Sequence, residues 1–245
     1  MAVALASFGS GPAFAADGLH EVYAAGQAEA VCLSGCLLAM GGAGRAGAVL
    51  WVRQAEQNRE AGMPSAAGLR ELGIDPGRVV LVLPRDPLSA LQAALEGARC
   101  AALGGVVLEL WGEARPYDLT ASRRLALAAR ETGVPVLVAR TAAAPTPSAA
   151  ETRWRVRALA SRALSARAPG PPALELVLLR DRSGREGLSY HLEWDRDVRQ
   201  FRLRDADAVA VAAGPRRAAP LSGAVVPLAP DGPAAADRGR RRQTG

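Results

Sequence analysis

"RVVLVLPRDPLSALQAALEGARCAALGGVVLELWG", residues Arg78–Gly112, decides the fold class of this 245-residue chain. The runs "RVVLVLP" and "GVVLELWG" are apolar and of strand length. Between them lies a helical stretch, with Asp86 placed to cap it and Pro87 at the first helical position, where a missing N–H removes no helical bond. A strand, helix, strand order makes a right-handed crossover between parallel strands.

The same alternation extends in both directions. Downstream, "DLTASRRLALAARETG" reads as a helix capped by Asp118, and "VPVLVAR" as the next strand. Upstream, "LHEVYA" is a strand, "AGQAE" a loop and "AVCLSGCLLAM" a helix closed by "GGAGRAG". "AVLWVRQ" is a further strand, its apolar run suited to burial on both faces, and "SAAGLRELGI" a short helix. The repeat predicts an α/β fold built on a mostly parallel sheet with helices on both faces.

After Arg140 the texture changes. "TAAAPTPSAAE" is a loop, "TRWRVRAL" alternates as a strand with one polar face, and "APGPP" is a stiff connector. "ALELVLLRDRSGREGLSYHLEWD" reads as an antiparallel hairpin around Ser183 and Gly184, at the sheet edge. The expected organisation is a flexible segment over 1–17, one α/β domain over 18–204, and an Ala/Pro/Arg-rich, mostly disordered tail over 205–245. Within the tail, "PLSGAVVPLA" is a candidate short strand or partner contact.

Composition narrows the chemistry. Formal net charge is +6, and all 30 basic residues are arginines. Without a lysine there is no Schiff-base former, no lysine general base and no phosphate-hook lysine. Cys32, Cys36 and Cys100 are read as buried free thiols of a reducing cytosol. His20 and His191 stand at no ligand spacing from them, so no metal is expected. The opening "MAVALASFGSGPAFAADG" ends like a signal peptide but lacks a positive start and a continuous apolar stretch, so it is read as a lead-in. No run approaches the roughly 20 apolar residues of a membrane span, and a cytoplasmic location is expected.

The loop after "LHEVYA" has the frame of a phosphate cradle without its contents. Such a loop needs glycines that let backbone N–H groups wrap phosphate, a lysine for charge and a hydroxyl for magnesium. Here the position ending the strand is Ala24, and the closing positions are Glu29, Ala30 and Val31. Glu29 puts a negative charge where phosphate would sit. No nucleotide cofactor is expected.

"HEVYAAGQAEAVCLSGCLL" resembles the strand, loop and helix of RecA-type recombinases, and the likeness runs over most of residues 18–200. "GLHEVYA", "VLWVRQ", "VVLELWGE", "DLTASRRLALAA", "AETRWRV" and "LEWDRD" are similar to the ImuA family, RecA-like accessory proteins of damage-induced mutagenesis. The resemblance implies that Glu109 matches the carboxylate of the Walker B strand, an aspartate in active recombinases. It implies that Gln54 or its neighbour replaces a catalytic glutamate, that the stretch around Arg140 matches a γ-phosphate sensor, and that "TAAAPTPSAAE" is a shortened DNA-binding loop.

Read from the residues, Glu109 is first a structural carboxylate, tied to a backbone N–H or to an arginine such as Arg115. Trp51 and Trp111 are read as packing residues. Arg153, Arg155 and Arg157 alternate on one face of their strand, opposite Trp154 and Val156, and form a candidate contact row for phosphates or an acidic partner. Arg240, Arg241 and Arg242 in the tail are further candidates. By resemblance, the expected function is that of a non-enzymatic adaptor in SOS-induced translesion synthesis. Its expected partners are an ImuB-like relative of Y-family polymerases and an error-prone C-family DNA polymerase, with RecA or DNA as further candidates and no membrane. The alternatives are a SulA-like inhibitor of cell division, a single-stranded DNA binder and an ATP-dependent recombinase.

Overall fold

The computed structural model describes residues 18–24, 46–55 and 62–204. The expected flexible segments 1–17 and 205–245, the loop positions Glu29, Ala30 and Val31, Cys32 and Cys36, and Arg240, Arg241 and Arg242 lie outside the described residues; Cys100, expected to be buried, is exposed, because it follows the last turn of a helix rather than facing the core. The chain divides after Gly214, and its second unit, Pro215–Gly245, lies outside them too.

The described residues form an α/β fold around one mixed sheet. Its strands are β1 (Leu19–Ala24), β2 (Val49–Arg53), β3 (Val79–Val82), β4 (Gly105–Trp111), β5 (Val136–Thr141), β6 (Thr152–Leu159), β7 (Ala173–Asp181), β8 (Ser189–Asp195) and β9 (Gln200–Leu203). They are ordered β3-β2-β4-β5-β1-β6-β7-β8-β9. From β3 through β6 neighbours are parallel, and from β6 to β9 they are antiparallel. The expected hairpin is present as β7 and β8. The sequence reading passed over β9, whose Phe201 packs edge-to-face on Trp194 of β8 at 5.0 Å.

Three helices are seen among the described residues: α1 (Ala66–Glu71), α2 (Pro87–Ala98) and α3 (Leu119–Thr132). Both long ones start as their sequences predict. Asp86 accepts from the N–H of Ser89 at 2.9 Å, and Asp118 from that of Ala121 at 2.7 Å. Gly133 ends α3 in the left-handed region at φ 71°.

Helix α2 lies on the sheet through small residues. Ala90, Ala94 and Ala98 are buried at four-residue spacing, and a Cβ at Gly97 would collide with Leu50 and crowd Val106. Helices α2 and α3 cover one face, in a core with Val52, Leu108, Val136 and Val138. Leu69 of α1 packs on the other face with Val49, Trp51 and Val107. A third cluster, with Trp154, Leu176, Trp194 and Phe201, fills the antiparallel end.

Residues 142–151 carry the chain from β5 across β1 to β6. Their course is pinned from below: Arg153 Nη2 donates to the Thr146 carbonyl at 2.7 Å and to Ser148 Oγ at 2.8 Å, and the Ala149 N–H donates to Ser122 Oγ at 3.1 Å. The stretch that resembles a shortened DNA loop forms the crossover connection from β5 to β6.

Candidate functional site

Ligands of an open parallel sheet bind at the carboxyl ends of the strands. Here that edge carries two buried charged clusters, one on each face, because successive residues of a strand point to opposite sides.

On the α1 face, β2 and β4 run side by side with Arg53 opposite Glu109. Glu109 is only 3 % exposed. Its Oε1 accepts from Trp51 Nε1 at 2.8 Å, and its Oε2 lies 3.1 Å from Arg53 Nε, which is itself buried. Arg115, the partner suggested by the sequence, is not involved: it is almost fully exposed and stands 4.0 Å from Glu113. The nearest match in the sequence was wrong because pairing across adjacent strands brings in a residue 56 positions away, whereas Arg115 follows β4 on an exposed turn. Gln54 is buried, and its Oε1 accepts from the Trp111 N–H at 2.9 Å. Trp51 is a core residue and Trp111 half-buried.

On the α2/α3 face, Glu21 of β1 is fully buried. Its Oε1 accepts from the Tyr117 hydroxyl at 2.6 Å; its Oε2 accepts from Arg153 Nε at 2.8 Å and from the Tyr23 hydroxyl at 3.2 Å. Burial, reinforced by the Glu21 charge, raises Tyr117 well above the ordinary phenol range and raises Tyr23 as well. Both rings therefore stay protonated donors. Arg140, 1 % exposed, lies over the ring of Tyr117 at 5.2 Å and that of Tyr23 at 6.0 Å. Its Nη2 donates to the carbonyls of Gly112 and Glu113 at 3.0 and 2.8 Å, while Nε and Nη1 have no hydrogen-bond partner among the described residues. The residue expected near a phosphate sensor is thus a buried cation that ties the β4–α3 loop to β5.

The proposed row of arginines divides. Arg153 is held by Glu21, Arg157 pairs with Glu175 at 2.9 Å, and Arg155 alone is exposed. Trp154 and Val156 face the core, as the alternation predicts. Beyond them the polar face continues as cross-strand pairs: Glu193 with Arg204 at 2.9 Å and Asp195 with Arg202 at 3.0 Å.

Ala24 ends β1, buried at the same edge. Among the described residues, no three histidine, cysteine, aspartate or glutamate side chains stand together as a metal site, and no helix is long and apolar enough to cross a membrane. The sequence reading missed Glu21, Tyr23, Tyr117 and Arg53. A signal for Glu21 existed: in "LHEVYA" it shares a face with Leu19, so a carboxylate had to be buried and partnered. Its partners lie 96 and 132 positions away, where no local pattern reaches.

No protein-family model and no curated protein matches the chain. Among solved structures it is similar to the RadB recombinase, at 19% identity and a TM-score of 0.49, covering 76% of this chain and 90% of that one. It is also similar to SulA from Pseudomonas aeruginosa, at 20% identity and a TM-score of 0.40, covering 50% and 97%. No activity or partner is carried from either to this chain.

Proposed function

We propose that this protein is a non-catalytic α/β scaffold acting as an adaptor in damage-induced, error-prone DNA synthesis, in company with an ImuB-like relative of Y-family polymerases and an error-prone C-family polymerase. The observation that carries the non-catalytic part is the condition of Glu109. A magnesium-nucleotide site needs a carboxylate whose oxygens are open to the metal or its water. Glu109 instead has Trp51 on one oxygen and Arg53 on the other. Gln54, which follows Arg53 just after β2, has no basic group to activate water, and its amide oxygen already holds the Trp111 N–H. The pathway rests on the resemblance of the quoted segments.

The test is the ultraviolet-induced mutation frequency per survivor in a strain of the source organism lacking the gene. The expected result is a fall toward the uninduced frequency with homologous recombination unchanged. Unchanged induced mutagenesis would overturn the reading, and filamentation on overproduction would favour a role in division instead.

A further inference from the structure

The two ends of the sheet are not alike. At one end, β9 carries the exposed Gln200 and Arg202, Arg202 pairs with Asp195 at 3.0 Å, and Arg199 at φ 51° turns the chain just before the strand. Short length and charge of this kind keep an edge from pairing with another chain. At the other end, β3 is hydrogen-bonded to β2 on one side, and among the described residues no strand lies on its other side. Its residues Val79, Val80, Leu81 and Val82 carry no charge, nor does Leu83 after them. Val80 is 48 % and Leu83 42 % exposed.

An open row of main-chain N–H and C=O groups is completed by another strand and not by a helix, whose backbone groups are used internally. Successive residues of β3 point to opposite faces, so a strand laid beside it meets apolar side chains on both. The incoming strand must itself be apolar on both faces, and β3 is such a strand. Charge at its flanks selects a direction. Asp75 stands five residues before Val80 and Arg85 five after it; both are exposed, and neither makes an ion pair among the described residues. Asp75 uses Oδ1 on the Gly77 N–H at 2.9 Å, which leaves its charge uncompensated. The neighbouring charges are engaged within the chain: Arg78 Nε donates to the Gly47 carbonyl at 3.1 Å, and Asp86 accepts from the N–H and the hydroxyl of Ser89. In an antiparallel pair of β3 strands centred on Val80, Asp75 of each copy falls opposite Arg85 of the other. A parallel pair in register sets like charge beside like.

We propose that β3 is where two copies of this protein join, antiparallel about a twofold axis through Val80, so that their sheets run on as one. The same strand serves on both copies, so the contact is isologous and closes at two. The proposal goes beyond the adaptor reading and does not depend on it.

The test is sedimentation of the full chain at tens of micromolar in about 0.15 M salt, where repulsion from the net charge of +6 is screened beyond about 8 Å. A dimer is expected. Val80→Lys, at a half-exposed position, should melt with the parent and weaken dimerisation about tenfold or more. Arg85→Glu should weaken it as well, by placing like charges opposite each other at both ends of the pair. Oxidised Val80→Cys should give a covalent dimer whose disulfide, mapped by mass spectrometry, joins position 80 to position 80, since cross-strand neighbours at the axis are within reach of each other. A monomer at every concentration, growth beyond two copies, a dimer indifferent to Val80→Lys or to Arg85→Glu, or disulfides that spare position 80 each overturn the proposal. Should Val80→Lys fail to fold, Arg85→Glu, exposed and outside β3, decides in its place.

Discussion

Glu21 and Glu109 stand on opposite faces of the sheet, each buried and each next to an arginine. Burying such a pair gains little over an apolar pair, but removing one partner strands a charge in the core. Arg153→Ala is therefore expected to lower unfolding free energy by about 3 kcal/mol, read from urea denaturation. A phosphate-contacting Arg153 would instead lose DNA affinity at unchanged stability. Asp181, the last residue of β7, makes a second prediction. The Ser183 hydroxyl at 2.6 Å, helped by the N–H and guanidinium of Arg185, lowers its carboxyl from 3.8 to about 2. Because the folded value is the lower one, this contribution is complete above the ordinary value and is lost as pH falls from there toward 2. In Asp181→Asn, the denaturation midpoint measured between pH 5 and 2 should fall less steeply than in the parent. Residue identities announced the acids here, and distance in sequence hid their partners.

At the scale of elements, the sequence signals that worked were local ones. Asp86 and Asp118 cap their helices, and the apolar run of β2 is largely buried on both faces as its lack of alternation implies, whereas that of β3, at the edge of the sheet, leaves Val80 48 % exposed. Strand β9 was missed because "QFRL" is short and its Phe201 has a reason to be inside only once Trp194 is beside it. The depth at which α2 sits was also hidden, since it depends on what lies beneath Gly97. Gly97→Val should drive a branched side chain into Leu50 and Val106 and cost about 1–3 kcal/mol, despite a better helix propensity. Gln92→Val, exposed on the same helix, should change stability by less than about 0.5 kcal/mol. A thermal or urea series on the two variants checks both.

For the whole molecule, the arrangement of buried charge predicts failure as a nucleotide enzyme. A fluorescent ATP analogue with magnesium should show no saturable binding to the full chain. The triple variant Glu29→Gly, Ala30→Lys, Val31→Thr should still not hydrolyse ATP, because Gln54 remains no base and Glu109 remains closed by Trp51 and Arg53. Measurable turnover by that variant would mean that the ion pair opens to admit a metal. By itself, the sequence determined the alternation of strands and helices, the capped helix starts, the core-facing side of β6 and the absence of lysine chemistry. All of these depend on residue type and on spacing along one element. Only the tertiary structure decided that Glu109 belongs to Arg53 rather than Arg115, that Arg153 serves Glu21, that residues 142–151 are a crossover, and that β3 and β9 are the ends of the sheet. Each of those depends on which strands become neighbours, and sheet order is settled by the packing of all the elements together rather than by any one of them.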